Sequence, residues 1–325
     1  MKAAYITSCG PPERIVYSDL PDPTLGEHDV LVEVRTVTVD PIDTYIRSGK
    51  YRIQLPTPFV IGRDMTGVVL DIGKGVKRFR PGDRVWCNNQ GYEGRQGTFA
   101  EIIAVGQDLL YHLPEGAKDE ASVAVLHSAT TAIVGLFLKA DIRPGDKLFL
   151  NGGSGNVGTI AMQIAKRYGA KVAVTAGHKE KQQWCKKLGA DLVIDYRSET
   201  DITGALKKFA PTGVDIYWDL TTAPDLEQAV ECTTRRGKVL LTSGIGYHSA
   251  FPVGAFYTKN ITAHGFTITD LSIMELRQVA DKLNVYLASG LLKSRIVDIW
   301  PLSRAAEAHT TMEAGDVFGK IILTP

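Results

Sequence analysis

Lys147-Leu-Phe-Leu-Asn-Gly-Gly-Ser-Gly-Asn-Val-Gly158 decides how this chain folds. Leu148, Phe149 and Leu150 read as an apolar strand, residues 151–158 as a glycine-rich turn, and residues 159–168 continue at helical spacing. Residues 171–175 (KVAVT) then read as the next buried strand. Gly153, Gly155 and Gly158 stand at G-x-G-x-x-G spacing, with Ser154, Asn156 and Val157 between them. In that spacing the first glycine allows a tight turn and the second lets backbone amides approach a pyrophosphate. The third permits close contact between helix and strand. The helix N-terminus adds free N–H groups and a positive dipole end. Glycine-rich turns serve many loops. The position after a strand and before a helix is what reads as a dinucleotide site.

The end of the second strand decides which dinucleotide. An NAD-selective fold places an acid about 20 residues further on, where it accepts hydrogen bonds from the ribose hydroxyls. This chain has Ala176, Gly177 and His178 there, followed by Lys179 and Lys181. A missing carboxylate removes repulsion against a 2′-phosphate and nearby lysines attract it, which favours NADP(H) over NAD(H). The competing reading puts both lysines on a solvated helix face, the ordinary use of lysine.

Outward from this unit, strands and helices alternate. Residues 147–150, 171–175, 192–195, 214–219, 238–241 and 261–266 read as β segments separated mostly by helices. That is the α/β pattern of a doubly wound parallel sheet. Residues 272–288 read as a helix, and the tail as strand (296–301), helix (303–314) and strand (319–323). The first 110 residues are rich in Val, Gly, Pro and Asp. Their short β-like runs at 2–6, 30–39, 65–72, 84–87 and 98–105 predict a strongly bent β domain. Residues 119–138 read as helical. The expected organisation is a β-rich domain over 1–124, completed by 268–325, with a nucleotide domain over 125–267 inserted into it. The cleft between them is the expected substrate site.

Composition narrows the function classes. The chain has 325 residues, 44% apolar and 22% charged, an ordinary globular balance with room for a sizeable core. Its net charge of +1, without a basic stripe, argues against a nucleic-acid partner. No apolar run approaches the length of a membrane span and no secretory signal is evident, so a cytoplasmic location is expected. Cys9, Cys87, Cys185 and Cys232 are too widely spaced for a disulfide framework or a paired-cysteine zinc site.

The chain resembles the medium-chain dehydrogenase/reductase superfamily, specifically its zinc-free quinone oxidoreductase (zeta-crystallin-like) branch. The resemblance rests on Asp40-Pro-Ile-Asp-Thr-Tyr-Ile-Arg-Ser-Gly49, Pro81-Gly-Asp83, Gly97-Thr-Phe-Ala-Glu101 and Gly152 to Gly158. Ala305–Ala308 and Gly319-Lys-Ile-Ile322 extend it to the end of the chain. It implies a Rossmann domain, a GroES-like β-rich catalytic domain, NADPH as cofactor, and a homodimer paired through the strand at 261–266. Zinc-dependent members carry Gly-His-Glu and a cysteine before the first helix of the catalytic domain. Here Gly62-Arg63-Asp64 and Asp40-Pro41-Ile42-Asp43 stand in those places. A tetrahedral catalytic site needs about three protein ligands, so no metal is expected. Asp40, Asp43, Asp64 and His127 are read instead as loop or helix-cap hydrogen-bonding residues.

Without a Lewis acid, a quinone or conjugated carbonyl is the easier hydride acceptor, because conjugation spreads the developing charge. The resemblance places Tyr45 beside the nicotinamide as hydrogen-bond donor, against a packing role. Tyr51 matches a tyrosine of the related enoyl-thioester reductases, and Arg47 is read either as an anion ligand or as structural. Asp40 replaces an Asn that contacts substrate or cofactor in many quinone reductases; an ionised Asp only accepts. Residues 88–96 form a longer loop, read as a lid or a substrate-selecting segment. Thr131 matches a nicotinamide contact, and Gly177, Lys181 and Tyr196 match the 2′-phosphate site. Gly315 falls where relatives carry an arginine for that phosphate. Ser243 and Gly244 fit a loop near the nicotinamide ribose. The function implied is NADPH-dependent reduction of a small quinone or enone. Enoyl-thioester reduction and a low-turnover crystallin-like or RNA-binding protein remain alternatives.

Overall fold

Val30, Val32 and Val34 alternate onto one buried face and make Asp29–Thr38 the strand around which the first unit is built. The computed structural model describes residues 1–315 and 317–325, in two units: Met1–His127 with Leu271–Pro325, and Ser128–Asp270. The first unit opens with β1 (Lys2–Ile6), β2 (Val16–Asp19), β3 (Asp29–Thr38) and helix α1 (Pro41–Ser48). β4 (Phe59–Val60), β5 (Met65–Ile72), β6 (Arg84–Cys87), β7 (Ile102–Gly106) and β8 (Tyr111–His112) follow, then helices α2 (Asp119–Val123) and α3 (Leu126–Ile133). β3 pairs with β5 along most of its length and with β7 over Asp29 to Glu33. Register shifts at Leu31/Val32 and Val34/Thr36 mark where the β3–β5 ladder bends.

The β runs expected in this unit are present, with two differences. β2, β4 and β8 are additional, with four, two and two residues, too short to show a period of their own. The expected strand at 98–105 begins only at Ile102, because the Thr98 hydroxyl is turned to the Asp64 carbonyl and Ala100 makes an isolated bridge to Ala3. Residues 119–138, expected as one helix, divide into α2, α3 and a π-helical turn at Val134–Lys139. A Cβ on Gly135 in that turn would come within 2.3 Å of Trp218, so the indole lies where a regular side chain would stand.

The second unit contains β9 (Lys147–Asn151), α4 (Asn156–Arg167), β10 (Lys171–Thr175), α5 (Lys179–Lys187) and β11 (Leu192–Ile194). α6 (Ile202–Phe209), β12 (Val214–Asp219), α7 (Leu226–Cys232), β13 (Thr233–Leu241), α8 (Val253–Thr258) and β14 (Thr262–Gly265) complete it. All six strands are parallel, in the order β11-β10-β9-β12-β13-β14, a doubly wound Rossmann sheet. Strand order reverses between β9 and β12, which makes their carboxyl ends the place where such sheets bind ligands. Phe149, Ala173, Tyr217 and Val239 fill one core beneath it.

The chain then returns to the first unit through α9 (Ile273–Ser289), β15 (Ile296–Pro301), α10 (Ala305–Ala314) and β16 (Lys320–Thr324). Ser272 and Glu275 cap the start of α9 reciprocally, and Gly290 ends it at φ +58°. β16 pairs with β3 at Val37 and Thr38, giving the order β15-β16-β3-β5-β6-β8 with β7 on β3. Among the described residues no helix is long and apolar enough to cross a membrane.

Candidate active site

The loop between β9 and α4 is shaped by what its glycines lack. Gly152 sits at φ +95°, so the left-handed turn falls one residue before the G-x-G-x-x-G count begins. Gly153, expected to make that turn, instead packs: a Cβ there would lie 2.4 Å from the Val174 Cβ on β10. Gly158 would place a Cβ 2.5 Å from the Gly152 carbonyl oxygen, so its closest constraint is the loop itself. Gly155 is the N-cap of α4 and supplies no side-chain acceptor. The first-turn amides of Asn156, Val157 and Gly158 are therefore presented to an anion.

Polar residues at three strand ends hold this loop. Thr175 Oγ1 accepts from the Gly152 amide at 2.7 Å and donates to Asn151 Oδ1 at 2.8 Å. Asn151 Nδ2 donates to Asp219 Oδ2 at 3.0 Å, and Asp219 Oδ1 accepts from the Thr221 amide and hydroxyl. Sequence reasoning passed over Asn151, Thr175 and Asp219. Their signal was a polar residue closing each of three adjacent apolar strands.

Beyond β10, a Cβ on Gly177 would meet Tyr196 Oη at 2.8 Å and Arg197 Cδ at 3.2 Å. Tyr196 is exposed, and an Arg197 guanidinium nitrogen lies 3.0 Å from His178 Nδ1. The cationic Arg197, absent from the sequence-derived set, thus joins Gly177 and Tyr196 at this end of the sheet, and Lys181 lies in the first turn of α5. Ser243 Oγ donates to the Thr221 carbonyl, and Gly244 at φ +91° turns the chain after β13. Thr131 is buried in α3.

In the first unit, α1 carries Tyr45, and Tyr51 follows just past its end. Tyr45 is half-buried, with the Lys50 ammonium 5.9 Å from its ring centroid. Gly49 closes the helix at φ +82°, and the Tyr51 amide donates back to the Tyr45 carbonyl at 3.0 Å. Arg47 is 1% exposed and is bound to the Gly10 carbonyl and to Glu313. That position is a structural tie, and it leaves the anion-ligand reading of Arg47 without an exposed guanidinium.

Behind α1 lies a buried cluster of charge. Lys320, 1% exposed at the start of β16, donates to Asp40 Oδ1, and Asp40 is equally buried. Asp43 Oδ2 accepts from the Asp40 amide at 2.8 Å, the helix-cap role expected of it. Asp64 Oδ2 accepts from the His127 amide at 2.8 Å. Arg63 is buried too, with Nη2 on Asn89 Oδ1 at 2.7 Å. Ligand atoms of Asp40, Asp64 and His127, which the sequence reading treated as loop or helix-cap residues, all lie within 4.8 Å of one another.

Burial and neighbouring charge set the protonation of this cluster. Burial, reinforced by the Asp40 charge, raises Asp64 well above the usual carboxylate range, and raises Asp43 to about 7. Burial also acts on Asp40, but the Lys320 charge and hydrogen bond outweigh it and hold that carboxyl low. Burial lowers His127 to about 4, so its imidazole is neutral at neutral pH. Asp40 is thereby an anion committed to a lysine, not an open cofactor contact.

The loop at 88–96 is anchored more firmly than a lid would be. Asn88, Asn89 and Gln90 are buried, and Gln96 accepts from the Val60 amide at 2.7 Å while donating to the Pro58 carbonyl at 2.9 Å. It brings the Tyr92 ring to 6.5 Å from that of Tyr51, with Arg63 5.9 Å from the Tyr92 centroid.

A parallel sheet with a glycine-rich phosphate loop at its switch point, in a chain whose β-rich unit bears tyrosines on and just past a clamped helix, defines a nucleotide-dependent oxidoreductase. Residues 26–115 match the alcohol dehydrogenase GroES-like domain, and residues 156–284 match the zinc-binding dehydrogenase family. The chain is 30% identical to the quinone oxidoreductase of Sus scrofa over 325 residues, 99% of this chain and 97% of that one. It is 31% identical to the chloroplastic NADPH-dependent alkenal/one oxidoreductase of Arabidopsis thaliana over 95% of this chain and 75% of that one. The structure of the Escherichia coli quinone oxidoreductase complexed with NADPH superposes with a TM-score of 0.88 at 27% identity, covering 100% of both chains. The chain belongs to the quinone oxidoreductase family of the medium-chain dehydrogenase/reductase superfamily, and is a quinone oxidoreductase-like reductase.

Proposed function

We propose that this protein is an NADPH-dependent reductase that delivers hydride to quinones or other conjugated carbonyls without a metal ion. The observation that carries the cofactor choice is Gly177 at the end of β10, where an acid would face the ribose, with Tyr196 and Arg197 beside it. Kinship supports the substrate class, since the relatives are a quinone oxidoreductase and an NADPH-dependent alkenal/one oxidoreductase.

NADPH, when bound, supplies the hydride. Ser154, Gly155 and the first turn of α4 bind its pyrophosphate. Lys181, Tyr196 and Arg197 take the 2′-phosphate, with Thr131, Ser243 and Gly244 toward the nicotinamide end. Tyr45 donates a hydrogen bond to the acceptor oxygen as negative charge grows there, and Tyr51 lines the same end of α1. A solvent-derived proton completes the hydroquinone or the saturated carbonyl. Tyr92 and the anchored loop at 88–96 select the acceptor. Arg47 holds α1 in place.

We also propose a cytoplasmic homodimer. All four cysteines are free, which suits a reducing compartment. β14 is an edge strand, and Val253 and Tyr257 of the preceding helix are exposed, a surface that a second copy would cover. Light scattering that returned a monomer at micromolar concentration would refute the dimer.

NADPH oxidation with a panel of naphthoquinone, a 2-alkenal and an enoyl-CoA tests the reaction. Turnover on the first two supports the proposal, turnover confined to the thioester moves the substrate class, and none at all rejects it. Tyr45→Phe should lower kcat about 100-fold with NADPH affinity unchanged. Unaltered kcat would return Tyr45 to a packing role.

A further inference from the structure

We propose that the Lys320 ammonium occupies the cation position of a latent metal pocket formed by Asp40, Asp64 and His127, so that removing it creates a divalent-metal site. The inference deepens the metal-free part of the proposed function and is independent of the cofactor and the acceptor.

The ligand set is assembled. Two carboxylate oxygens and one imidazole nitrogen converge within 4.8 Å, a donor combination suited to first-row divalent ions. Asp64 is 0% exposed, and its Oδ1 has no hydrogen-bond partner among the described residues. Asp40 Oδ2 is likewise without one. Buried acceptors are left unsatisfied rarely, because each costs free energy. Asp64 Oδ1 faces His127 Nδ1 at 4.0 Å, too far for a hydrogen bond.

What keeps a metal out is charge already in place. Asp40, Asp43 and Asp64 carry at most three negative charges, and the buried Arg63 and Lys320 supply two positive ones. A divalent ion would leave the cluster with excess positive charge beside carboxylates that are 0–1% exposed, and it would have to displace the ammonium from Asp40. The residues as they stand therefore do not fit the zinc that the matched family description implies. With Lys320 gone, Arg63 and a divalent ion together match the three carboxylates. Methionine at 320 keeps the stem that threads the core and deletes only the charge.

Metal titration of Lys320→Met, with Lys320→Gln as a second neutral variant, tests this. Either variant should bind one equivalent of Co2+ with visible absorption bands, about a hundredfold more tightly than the unaltered protein. Zn2+ should raise the variants' Tm and leave that of the unaltered protein in place. Adding Asp64→Ala to Lys320→Met should abolish both signals. If neither variant binds Co2+ or is stabilised by Zn2+, the inference is wrong, whatever their starting stability. Stoichiometric metal in the unaltered protein would also overturn it, and would remove the metal-free reading as well.

Discussion

The phosphate loop of the second unit and the charge cluster of the first are built by opposite means. The loop is backbone and absent side chains, drawn from eight consecutive residues, Asn151 to Gly158, and completed by strand-end polar groups. The cluster is six side chains gathered from positions 40, 43, 63, 64, 127 and 320. In the loop, binding capacity comes from amides left open by a glycine N-cap. In the cluster, the acids, Arg63 and Lys320 are buried, and Asp40 is paired with Lys320 inside the protein. The loop keeps its amides open toward a ligand, whereas the cluster directs its bonds inward, to Lys320, to backbone amides and to Asn89.

The contrast sets the sizes of effect to look for. Gly158→Val should cause the largest change, since its side chain would collide with the Gly152 carbonyl 2.5 Å away. NADPH binding should vanish in calorimetry while the folded state persists by circular dichroism. Retained binding would show that the loop does not hold the cofactor.

Asp40→Ala comes next. Leaving the Lys320 ammonium buried and unpaired should cost about 3–5 kcal/mol in urea unfolding. The exposed pair Lys207–Glu231, at 2.7 Å, should cost far less when broken, because solvent screens it. Equal losses at the two pairs would erase the distinction between cluster and surface.

A third test uses acidity. His309 on α10 is fully buried, and burial followed by the Arg47 charge lowers it to about 3. An unfolded histidine takes a proton near its model value of 6.5, so the unfolded state binds more protons between the two values. The His309 contribution is therefore complete above pH 6.5 and is lost as pH falls toward 3. His309→Leu should reduce the acid sensitivity of stability by on the order of 2 kcal/mol between pH 6.5 and 4.5. Parallel pH curves for the two proteins would contradict that assignment.

The smallest effect belongs to Arg197→Ala, which should weaken NADPH about tenfold and leave NADH unchanged. A loss shared equally by both cofactors would place Arg197 away from the 2′-phosphate.

How much of this was legible follows the same divide. The six strands of the parallel sheet stand out as apolar runs between turn residues, and the phosphate loop declares itself by local spacing. The turn itself was read one residue late, because the count begins at Gly153 while the positive φ belongs to Gly152. Helix α1 carries proline at its first position and glycine at its end, so capping signals could have found it where periodicity over eight residues did not. Asp40, Asp43, Asp64 and His127 were each read as hydrogen-bonding residues, and Asp43 and Asp64 do accept backbone amides. Their convergence on Lys320, 280 residues from Asp40, is set by β16 pairing with β3, which no local pattern records. Arg197 escaped for a simpler reason: its neighbour Tyr196 already filled the role.

Parallel calorimetric titrations of NADPH and NADH into chelator-treated protein test the account most directly. It predicts one site that takes NADPH at least about tenfold more tightly than NADH, with no metal required. Equal affinities, or binding of neither, would contradict it.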